Sequence, residues 1–364
     1  MKHINIPVFI PHLGCQNQCI FCNQRFISGT YEFSENEVDN IINDVLSTVN
    51  TNDLCEIAFF GGSFTGIDRN LMIRLLEKAQ KYVNNGQAIG IRMSTRPDYI
   101  NDEIINILKN YTITCVELGV QSMNDAVLRY LKRGHTANDT YKAIKLLNNA
   151  NISFVGQMMV GLPFATEEDE IKCAQEICKL GAVATRIYPT IVFKNTELEN
   201  LTKAGDYKPL SIEEAINRCA HVYKVFVENN VHCLRIGLCE SENLHNDNTY
   251  YAGPNCASIG EMVKSRFYFE IICQKIDELA LKNFDNLYIK VKADFNGMTD
   301  CVESVEDDFH KVMKDDRIHN TLGIAGAWFV DGSGRNFFRE YNDNSFKGYE
   351  VSNCCGRFIL AVAA

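Results

Sequence analysis

Three cysteines near the N-terminus are the residues whose type and spacing most clearly indicate chemistry. Cys15, Cys19 and Cys22 are spaced C-x3-C-x2-C, directly after the first predicted strand. Thiolates are the ligands of iron–sulfur clusters, and this short spacing allows one loop to bind several corners of a cluster. A full cluster site has four ligands and this loop supplies three, so one iron would stay open to a small molecule. Phe21 precedes the last cysteine, where its ring can stack on a purine.

Zinc is the alternative occupant of this loop, with His12 or a distant cysteine as the fourth ligand. The position of the motif, after the first strand of a repeating strand–helix pattern, favours the iron–sulfur interpretation. Most of the 15 cysteines lie elsewhere, many of them in apolar runs as Cys115 does, where a reduced thiol packs as a small hydrophobic group. An auxiliary cluster is the other possibility for some of these: Cys233, Cys239, Cys256, Cys354 and Cys355.

The elements that must position this loop are short apolar runs alternating with amphipathic segments. The runs cover residues 4–10, 56–62, 88–95, 114–122, 154–163 and 184–192. They lack strict polar–apolar alternation, which is typical of parallel strands covered on both faces. Between them lie helix-start signals: capping boxes at Ser34/Glu37, Thr166/Asp169 and Ser211/Glu214, and candidate caps at Asn101 and Thr136. The predicted fold class is therefore α/β, an open partial (β/α)6 parallel barrel with its chemistry at the C-terminal ends of the strands.

The pattern changes after about residue 240, and we expect two domains: the barrel over 1–240 and a C-terminal extension of uncertain fold over 241–364. In the extension, residues 261–282 predict a helix, residues 286–294 predict a strand, and residues 294–353 are polar. The chain has neither a signal peptide pattern nor the roughly 18 apolar residues of a membrane span, so we expect a cytoplasmic protein. A net charge of −10 argues against a nucleic-acid-binding face, because phosphate contacts require clustered Lys and Arg.

On these motifs, residues 4–240 resemble the radical S-adenosylmethionine superfamily, whose signature is CxxxCxφC with an aromatic φ. Within it, the sequence is most similar to the radical domain of the Elongator catalytic subunit family, and oxygen-independent coproporphyrinogen oxidases share a weaker series. The matching segments are FFGGSFTG (59–66), STRPDYI (94–100), VELGVQS (116–122), KRGHT (132–136), GLP (161–163) and RIYPTIVFKNTEL (186–198). The resemblance implies an enzyme with a 4Fe–4S cluster on the three cysteines. It also implies that the reduced cluster cleaves S-adenosylmethionine to a 5′-deoxyadenosyl radical, which abstracts a hydrogen atom from a substrate.

The resemblance also implies a set of cofactor-binding residues: Phe21, Gly61, Gly62, Ser63, Ser94, Gln121, Arg133 and Gln157. Residues 61–63 would approach the methionine amino group, and Gln121 and Arg133 would contact the ribose and the carboxylate. Each has a simpler alternative, since the glycines suit a tight turn and Arg133 suits a charge on a helix surface. Ser94 stands where the Elongator pattern usually has an acidic residue, so one polar contact is shortened or lost.

Two more residues of the matching segments have open roles, and no catalytic residue is assigned. Tyr188 would border the adenine or the substrate, with a core tyrosine as the equal alternative. His135 is interpreted as structural.

The substrate is left open between RNA, bound with a partner subunit, and a small metabolite, which the acidic charge favours. The acetyltransferase domain of Elongator proteins is not recognisable in residues 239–364, where DGSGRN (331–336) is a weak acyl-coenzyme A loop, nor is a basic N-terminal extension. A reductant protein such as ferredoxin or flavodoxin is the expected partner, without a membrane. Two alternatives are an Elongator-like tRNA-modifying enzyme, which predicts a basic surface around the barrel mouth, and a non-catalytic iron–sulfur or zinc module.

Overall fold

Seven parallel strands in a single curled sheet form the frame of the molecule. The strands of the first part of the chain are β1 (His3–Phe9), β2 (Leu54–Phe60), β3 (Gly90–Thr95), β4 (Ile113–Gln121), β5 (Ser153–Val160), β6 (Ala184–Pro189), β7 (Val192–Phe193), β8 (His232–Ile236) and β9 (Tyr250–Ala252). The sheet has the order β1-β2-β3-β4-β5-β6-β8, and the short β7 pairs antiparallel with β9. This half-barrel confirms the predicted α/β partial barrel.

The computed structural model describes residues 2–16, 18–50, 52–238, 248–256 and 258–278, together with the strands at 288–293, 299–306, 349–353 and 358–362. It divides into two compact units, Met1–Ala257 and Ser258–Ala364. The predicted domain boundary after residue 240 lies outside the described residues, as does DGSGRN (331–336).

The six predicted apolar runs coincide with β1–β6, and the sequence analysis missed the seventh parallel strand, β8. Three of its five residues are exposed, including Leu234 and Arg235, because it forms one edge of the sheet. An edge strand needs no continuous apolar run, so the pattern used for the buried strands does not detect it.

Helices follow most of these strands, and the capping predictions were largely correct. The helices of the first unit are α1 (Gln24–Ser28), α2 (Val38–Leu46), α3 (Arg69–Asn84), α4 (Asp102–Leu108), α5 (Asp125–Tyr130), α6 (Ala137–Asn149), α7 (Glu167–Lys179), α8 (Glu197–Ala204) and α9 (Ile212–Glu228). Capping boxes form at Thr166/Asp169 and Ser211/Glu214, Asn101 caps α4, and Thr136 forms a further box with Asp139.

The capping box predicted at Ser34 and Glu37 was wrong. Ser34 precedes a 3-10 turn (Glu35–Glu37), makes no side-chain cap hydrogen bond, and α2 begins only at Val38. The Glu37 carboxylate accepts from Asn40 Nδ2 at 3.1 Å, and Arg74 holds Glu35 through two hydrogen bonds of 2.9 Å. These contacts engage the two glutamates, so Glu37 does not reach back to the Ser34 backbone as a box requires.

The second unit contains α10 (Ile259–Glu278), β10 (Tyr288–Ala293), β11 (Thr299–Glu306), β12 (Tyr349–Asn353) and β13 (Phe358–Val362). β10 pairs antiparallel with β11, and β12 with β13. The helix predicted over 261–282 is present through residue 278, and the predicted strand at 286–294 corresponds to β10. Among the described helices, none combines the length and apolarity needed to span a membrane.

Along each strand, successive side chains point alternately into the hydrophobic core and toward the inner face of the half-barrel. On β4, Val116, Leu118 and Val120 are fully buried, while the intervening Glu117, Gly119 and Gln121 line a cavity inside the curl. The period of two in a strand produces this division. At the deep end, Cys115, Val155 and Ala184 from β4, β5 and β6 form a small apolar cluster. The inner face above that cluster is polar, and the site lies there.

Candidate active site

A cavity of about 470 Å³ inside the half-barrel contains all the site residues expected from the sequence. Its lining includes Cys15, Cys19, Cys22, Phe21, Gly61, Gly62, Ser63, Ser94, Gln121, Arg133 and Gln157. These residues come from the loops and strand ends of β1–β5, where a parallel α/β sheet carries its ligands. The structure therefore brings the predicted residues together, while the role of each one stays a prediction.

The loop with the cysteines lies directly against the glycine-rich loop that follows β2. His12 N donates to Gly61 O at 2.9 Å, and Ser63 N donates to Leu13 O at 2.9 Å. A Cβ on Gly62 would lie 2.5 Å from Leu13 O, so no larger residue fits without moving the backbone. Gly14 is equally constrained, since its φ is +73° and a Cβ would lie 2.2 Å from Ser63 O. The two loops form one rigid unit, and Gly62 has a clear structural role whether or not it also contacts a cofactor.

Each cysteine thiol of the motif contacts a polar partner from another part of the site. Cys15 Sγ lies 3.4 Å from Ser63 Oγ, Arg133 Nη1 donates to Cys19 Sγ at 3.4 Å, and Gln24 Nε2 donates to Cys22 Sγ at 3.5 Å. Burial and the neighbouring Cys19 raise the pKa of Cys22 to about 12. The thiols thus lie near enough for thiolate charges to oppose each other, which a bound iron centre would relieve. This donor set fits an iron–sulfur cluster.

The zinc alternative combines the three cysteines of the loop with His12 or a distant cysteine. Within the described parts of the chain, no three His, Cys, Asp or Glu side chains converge as ligands of a single ion do. His12, the candidate fourth zinc ligand, accepts a hydrogen bond from Gln24 N on its Nε2 at 2.9 Å. Burial and Arg25 lower its pKa, which keeps the imidazole neutral for this contact.

Arg133 and Gln121 are held close to the cysteines by unusual backbone. Arg133 is buried between α5 and α6, with Nη2 donating to Gly119 O at 2.9 Å, so the alternative of a charge on a helix surface was wrong. Gln121 adopts a φ of +65°, next to an irregularity in the β4–β5 register at Gly119. Such strained backbone is characteristic of functional sites. A Cβ at Gly119 would lie 2.4 Å from Arg133 Nη2, so glycine there makes room for the guanidinium.

Unsatisfied polar atoms on residues that line the cavity test whether these residues fit S-adenosylmethionine. Among the described residues, eight buried side-chain polar atoms have no hydrogen-bond partner. Four of them belong to residues lining this cavity: Asn5 Oδ1, Arg96 Nη1, Gln121 Oε1 and Arg133 Nε. Leaving such atoms unpaired costs about 1–3 kcal/mol each. Guanidinium donors suit a carboxylate and amide oxygens suit ammonium or hydroxyl groups, so the set fits an amino-acid nucleoside.

Glu117 organises a charged network on the inner face that the sequence analysis did not assign to the site. This carboxylate, 1% exposed, accepts from Arg186 at 2.8 and 3.1 Å, from Arg92 at 3.2 Å and from Gln157 Nε2 at 2.8 Å. Gln157 Nε2 also lies 3.5 Å from Ser94 Oγ. The available signal was the presence of single charges in otherwise apolar runs, because a charge in a buried strand persists only when it is paired.

Arg96, the next residue after β3, was also missed. It is 1% exposed and lines the cavity, and Asp98 holds its Nε and Nη2 at 2.9 and 2.6 Å. Arg96 stands three residues before Tyr99 in STRPDYI, and it overlies the Tyr99 ring. Nothing in that sequence indicated that Arg96 is buried. Its unpartnered Nη1 makes it a candidate cofactor contact.

The sequence left open whether Tyr188 borders the site or belongs to the core, and it predicted a structural role for His135. Tyr188 lines the cavity and also packs against the apolar cluster that contains Phe21, Leu131 and Met159. His135 is not among the residues lining the cavity, and its Nε2 lies 3.2 Å from Val120 O. Burial and the charges of Arg133 and Arg96 lower its pKa to about 3. The imidazole is therefore neutral and supports the loop around Arg133, as a structural residue does.

Two of the cysteines of the auxiliary-cluster alternative, Cys233 and Cys256, lie in the described part of the chain. Cys233 is buried on β8, with its thiol 3.5 Å from Arg235 O, and Cys256 is partly buried. The other three candidates, Cys239, Cys354 and Cys355, lie outside the described residues.

Comparisons with known families agree with this geometry. A family model described as "Radical SAM superfamily" matches residues 9–177, and one described as "Radical_SAM C-terminal domain" matches residues 183–268. An uncharacterized protein of Methanocaldococcus jannaschii is 30% identical over 228 residues, which cover 59% of this chain and 70% of that protein. The tRNA uridine(34) acetyltransferase of the same organism is 37% identical over 146 residues, covering 39% of this chain and 27% of that protein.

A solved structure shares the fold over most of the chain. The archaeal Elp3 of Methanocaldococcus infernus, with an N-terminal deletion, superimposes with a TM-score of 0.58 and 20% identity, covering 84% of this chain and 77% of that one. At that identity the likeness concerns the fold. The chain spans about a quarter of the length of the tRNA uridine(34) acetyltransferases that it matches.

Proposed function

The chain belongs to the radical S-adenosylmethionine superfamily and is an enzyme of that class. We propose that it cleaves S-adenosylmethionine at an iron–sulfur cluster held by Cys15, Cys19 and Cys22, and that this cleavage serves to abstract a hydrogen atom from a substrate. Enzymes of this superfamily use a 4Fe–4S cluster and S-adenosylmethionine. One observation carries the assignment of the site: the three cysteines share a cavity with four unsatisfied polar groups.

When bound, these cofactors would supply the radical chemistry, which is the reductive cleavage of S-adenosylmethionine and the abstraction of a hydrogen atom from the substrate. The protein binds and orients these groups. Cys15, Cys19 and Cys22 would hold three irons of the cluster and would leave one iron for S-adenosylmethionine. Arg133 places a positive charge beside Cys19, which stabilises the negative charge of thiolates and of an incoming carboxylate. Gln121 and Arg96 offer an amide oxygen and an N–H group to the rest of the cofactor.

Electrons would enter from the side of the cysteine loop. A surface pocket of about 580 Å³ is lined by Cys15 and Cys22 together with polar residues such as Gln16 and Arg25. The superfamily needs a reductant. A ferredoxin or flavodoxin docked over this pocket would bring its own centre close to the cluster.

Modification of tRNA is the second candidate function, favoured by the similarity to tRNA uridine(34) acetyltransferases. It requires a basic surface around the barrel mouth. Two lysines in this region are engaged with glutamates: Lys132 pairs with Glu197 at 2.6 Å, and Lys203 with Glu199 at 2.8 Å. Binding of bulk tRNA by the reconstituted enzyme, weakened in 0.2 M relative to 0.05 M salt, would favour this candidate; the salt values are about those over which phosphate contacts weaken.

The primary test is anaerobic reconstitution followed by iron and sulfide analysis and an assay for 5′-deoxyadenosine. We expect about four irons per chain and formation of 5′-deoxyadenosine from S-adenosylmethionine on reduction. Both should be lost in Cys19→Ala and retained in Cys115→Ala, a matched loss of a buried thiol away from the loop.

Three other results would redirect the assignment. About eight irons would indicate an auxiliary cluster. Stoichiometric zinc in place of iron would indicate a metal-binding module. A four-iron protein that binds S-adenosylmethionine without cleaving it would contradict the proposed reaction.

A further inference from the structure

A layer of polar side chains crosses the inner face of the half-barrel below the cofactor-binding residues. Six strands contribute one residue each: Asn5, Glu56, Arg92, Glu117, Arg186 and Arg235. The sheet register places residues of this layer side by side at both edges of the sheet. Asn5 is the register partner of Glu56 at one edge, and Arg186 is the register partner of Arg235 at the other. Paired residues on adjacent parallel strands point to the same face, so Arg186 and Arg235 are neighbours on the inner face.

The layer contains three arginines and two carboxylates. Arg92 bridges Glu56 at 2.8 Å and Glu117 at 3.2 Å, and Glu117 also binds Arg186. Two of the arginines therefore pair with the two carboxylates, and the third, Arg235, is exposed and has no ion pair among the described residues. An exposed guanidinium beside an interior network offers N–H donors to an incoming anion.

The layer is accessible from the cavity, although its carboxylates are buried. Asn5, Glu117, Arg186 and Arg235 all line the cavity. Ser94 and Gly119 line the same cavity, with the Arg133 guanidinium over Gly119. Asn5 Oδ1 has no hydrogen-bond partner, which supplies an acceptor at the opposite edge strand from Arg235.

We propose that this layer is the floor of the substrate site and that the substrate is a small metabolite with a carboxylate or phosphate group bound by Arg235 beside Arg186. A hydroxyl or amine of the same molecule would donate to Asn5. The inference rests on the proposed function for its reaction and adds the class of substrate. A backbone phosphate of RNA is less suited, because it is flanked by nucleotides on both sides and the cavity of about 470 Å³ must also hold the cofactor.

The test is calorimetric titration of the reconstituted enzyme, loaded with S-adenosylmethionine, with succinate, inorganic phosphate and the neutral isostere succinamide. We expect succinate or phosphate to bind and succinamide not to bind. Arg235→Gln should weaken that binding roughly tenfold to hundredfold, as loss of a charge-assisted hydrogen bond does, and Arg235→Lys should weaken it less. Arg129→Gln, which removes an exposed charge on α5 outside the cavity, should bind as the wild type does.

The same samples are assayed for 5′-deoxyadenosine, which separates this inference from the proposed function. Cleavage of S-adenosylmethionine with no binding of either anion, or with binding that Arg235→Gln leaves unchanged, would overturn the anionic floor alone. Anion binding that depends on Arg235 in a protein that never cleaves the cofactor would support the floor and overturn the proposed reaction. Binding of bulk tRNA that Arg235→Gln abolishes, with neither small anion bound, would replace the metabolite with RNA.

Discussion

At the scale of single residues, the site depends on places where a side chain must be small so that two backbone segments or a guanidinium can approach. Gly62 allows the cysteine loop to lie against the loop after β2, and Gly119 makes room for Arg133. Turn propensity alone does not reveal either contact, because glycine occurs in turns for several different structural reasons. The motif indicated that glycine was needed, and the structure identifies which atoms need it.

Gly62→Ala is therefore expected to disturb the metal site as well as the fold. The new Cβ would meet Leu13 O at 2.5 Å and Ile10 O at 2.6 Å, both backbone atoms that cannot rotate away. We expect the free energy of unfolding to fall by about 1–3 kcal/mol, the usual cost of overpacking, and iron retention to fall well below that of the wild type. Urea denaturation and iron analysis measure the two effects.

Gly156→Ala is the matched control for this substitution. Its Cβ would meet Ile177 Cγ2 at 2.6 Å, a comparable steric clash, and it lies away from the cysteine loop. This variant should lose some stability and keep its full iron content. Wild-type iron content and stability in Gly62→Ala would show that the two loops tolerate separation.

At the scale of elements, six of the seven parallel strands and the starts of α4, α6, α7 and α9 were predictable, because each carries its signal within a few residues. The strand β8 and the Ser34 box were not, for related reasons. β8 is an edge strand whose exposed residues hide its pattern, and the Glu37 carboxylate binds Asn40 instead of the Ser34 backbone. Charged residues inside the strands were visible but had no assignable partner until the structure placed Glu117 between Arg92 and Arg186.

Two threonine or serine residues before helical turns differ in capping, so their substitution by alanine should change the free energy of unfolding by different amounts. Thr166 accepts from Asp169 N and forms a complete box at the start of α7, whereas Ser34 makes no side-chain cap hydrogen bond. Thr166→Ala should lower the free energy of unfolding by about 1 kcal/mol, and Ser34→Ala should change it by less than about 0.5 kcal/mol. Urea denaturation of the two variants in parallel is the measurement, and equal losses would contradict the assignment of the caps.

At the scale of the whole molecule, burial of charge ties the stability of the fold to pH. The net charge of −10 is borne mostly by the surface, while the interior holds arginines 96 and 133 beside a neutral His135. Composition gave no indication of which charges are buried, because burial depends on residues that are adjacent only after folding. The two arginines suit thiolates and the carboxylate of S-adenosylmethionine and, together with burial, lower the pKa of His135.

His135 should therefore make the fold less stable as the pH falls. Its pKa is lowered to about 3 in the folded protein by burial and by Arg133 and Arg96, while in the unfolded chain it is ordinary, near 6.5. Between these values the unfolded chain binds a proton that the folded protein does not. The stabilisation is full above about pH 6.5 and is lost toward pH 3, by up to about 1.4 kcal/mol per pH unit. The measurement is the urea midpoint at about pH 7.5 and at about pH 5.5 in the wild type, in His135→Gln and in His232→Gln, the exposed control. The two midpoints should differ less in His135→Gln than in the other two proteins. Equal differences in all three proteins would show that His135 does not set this pH dependence.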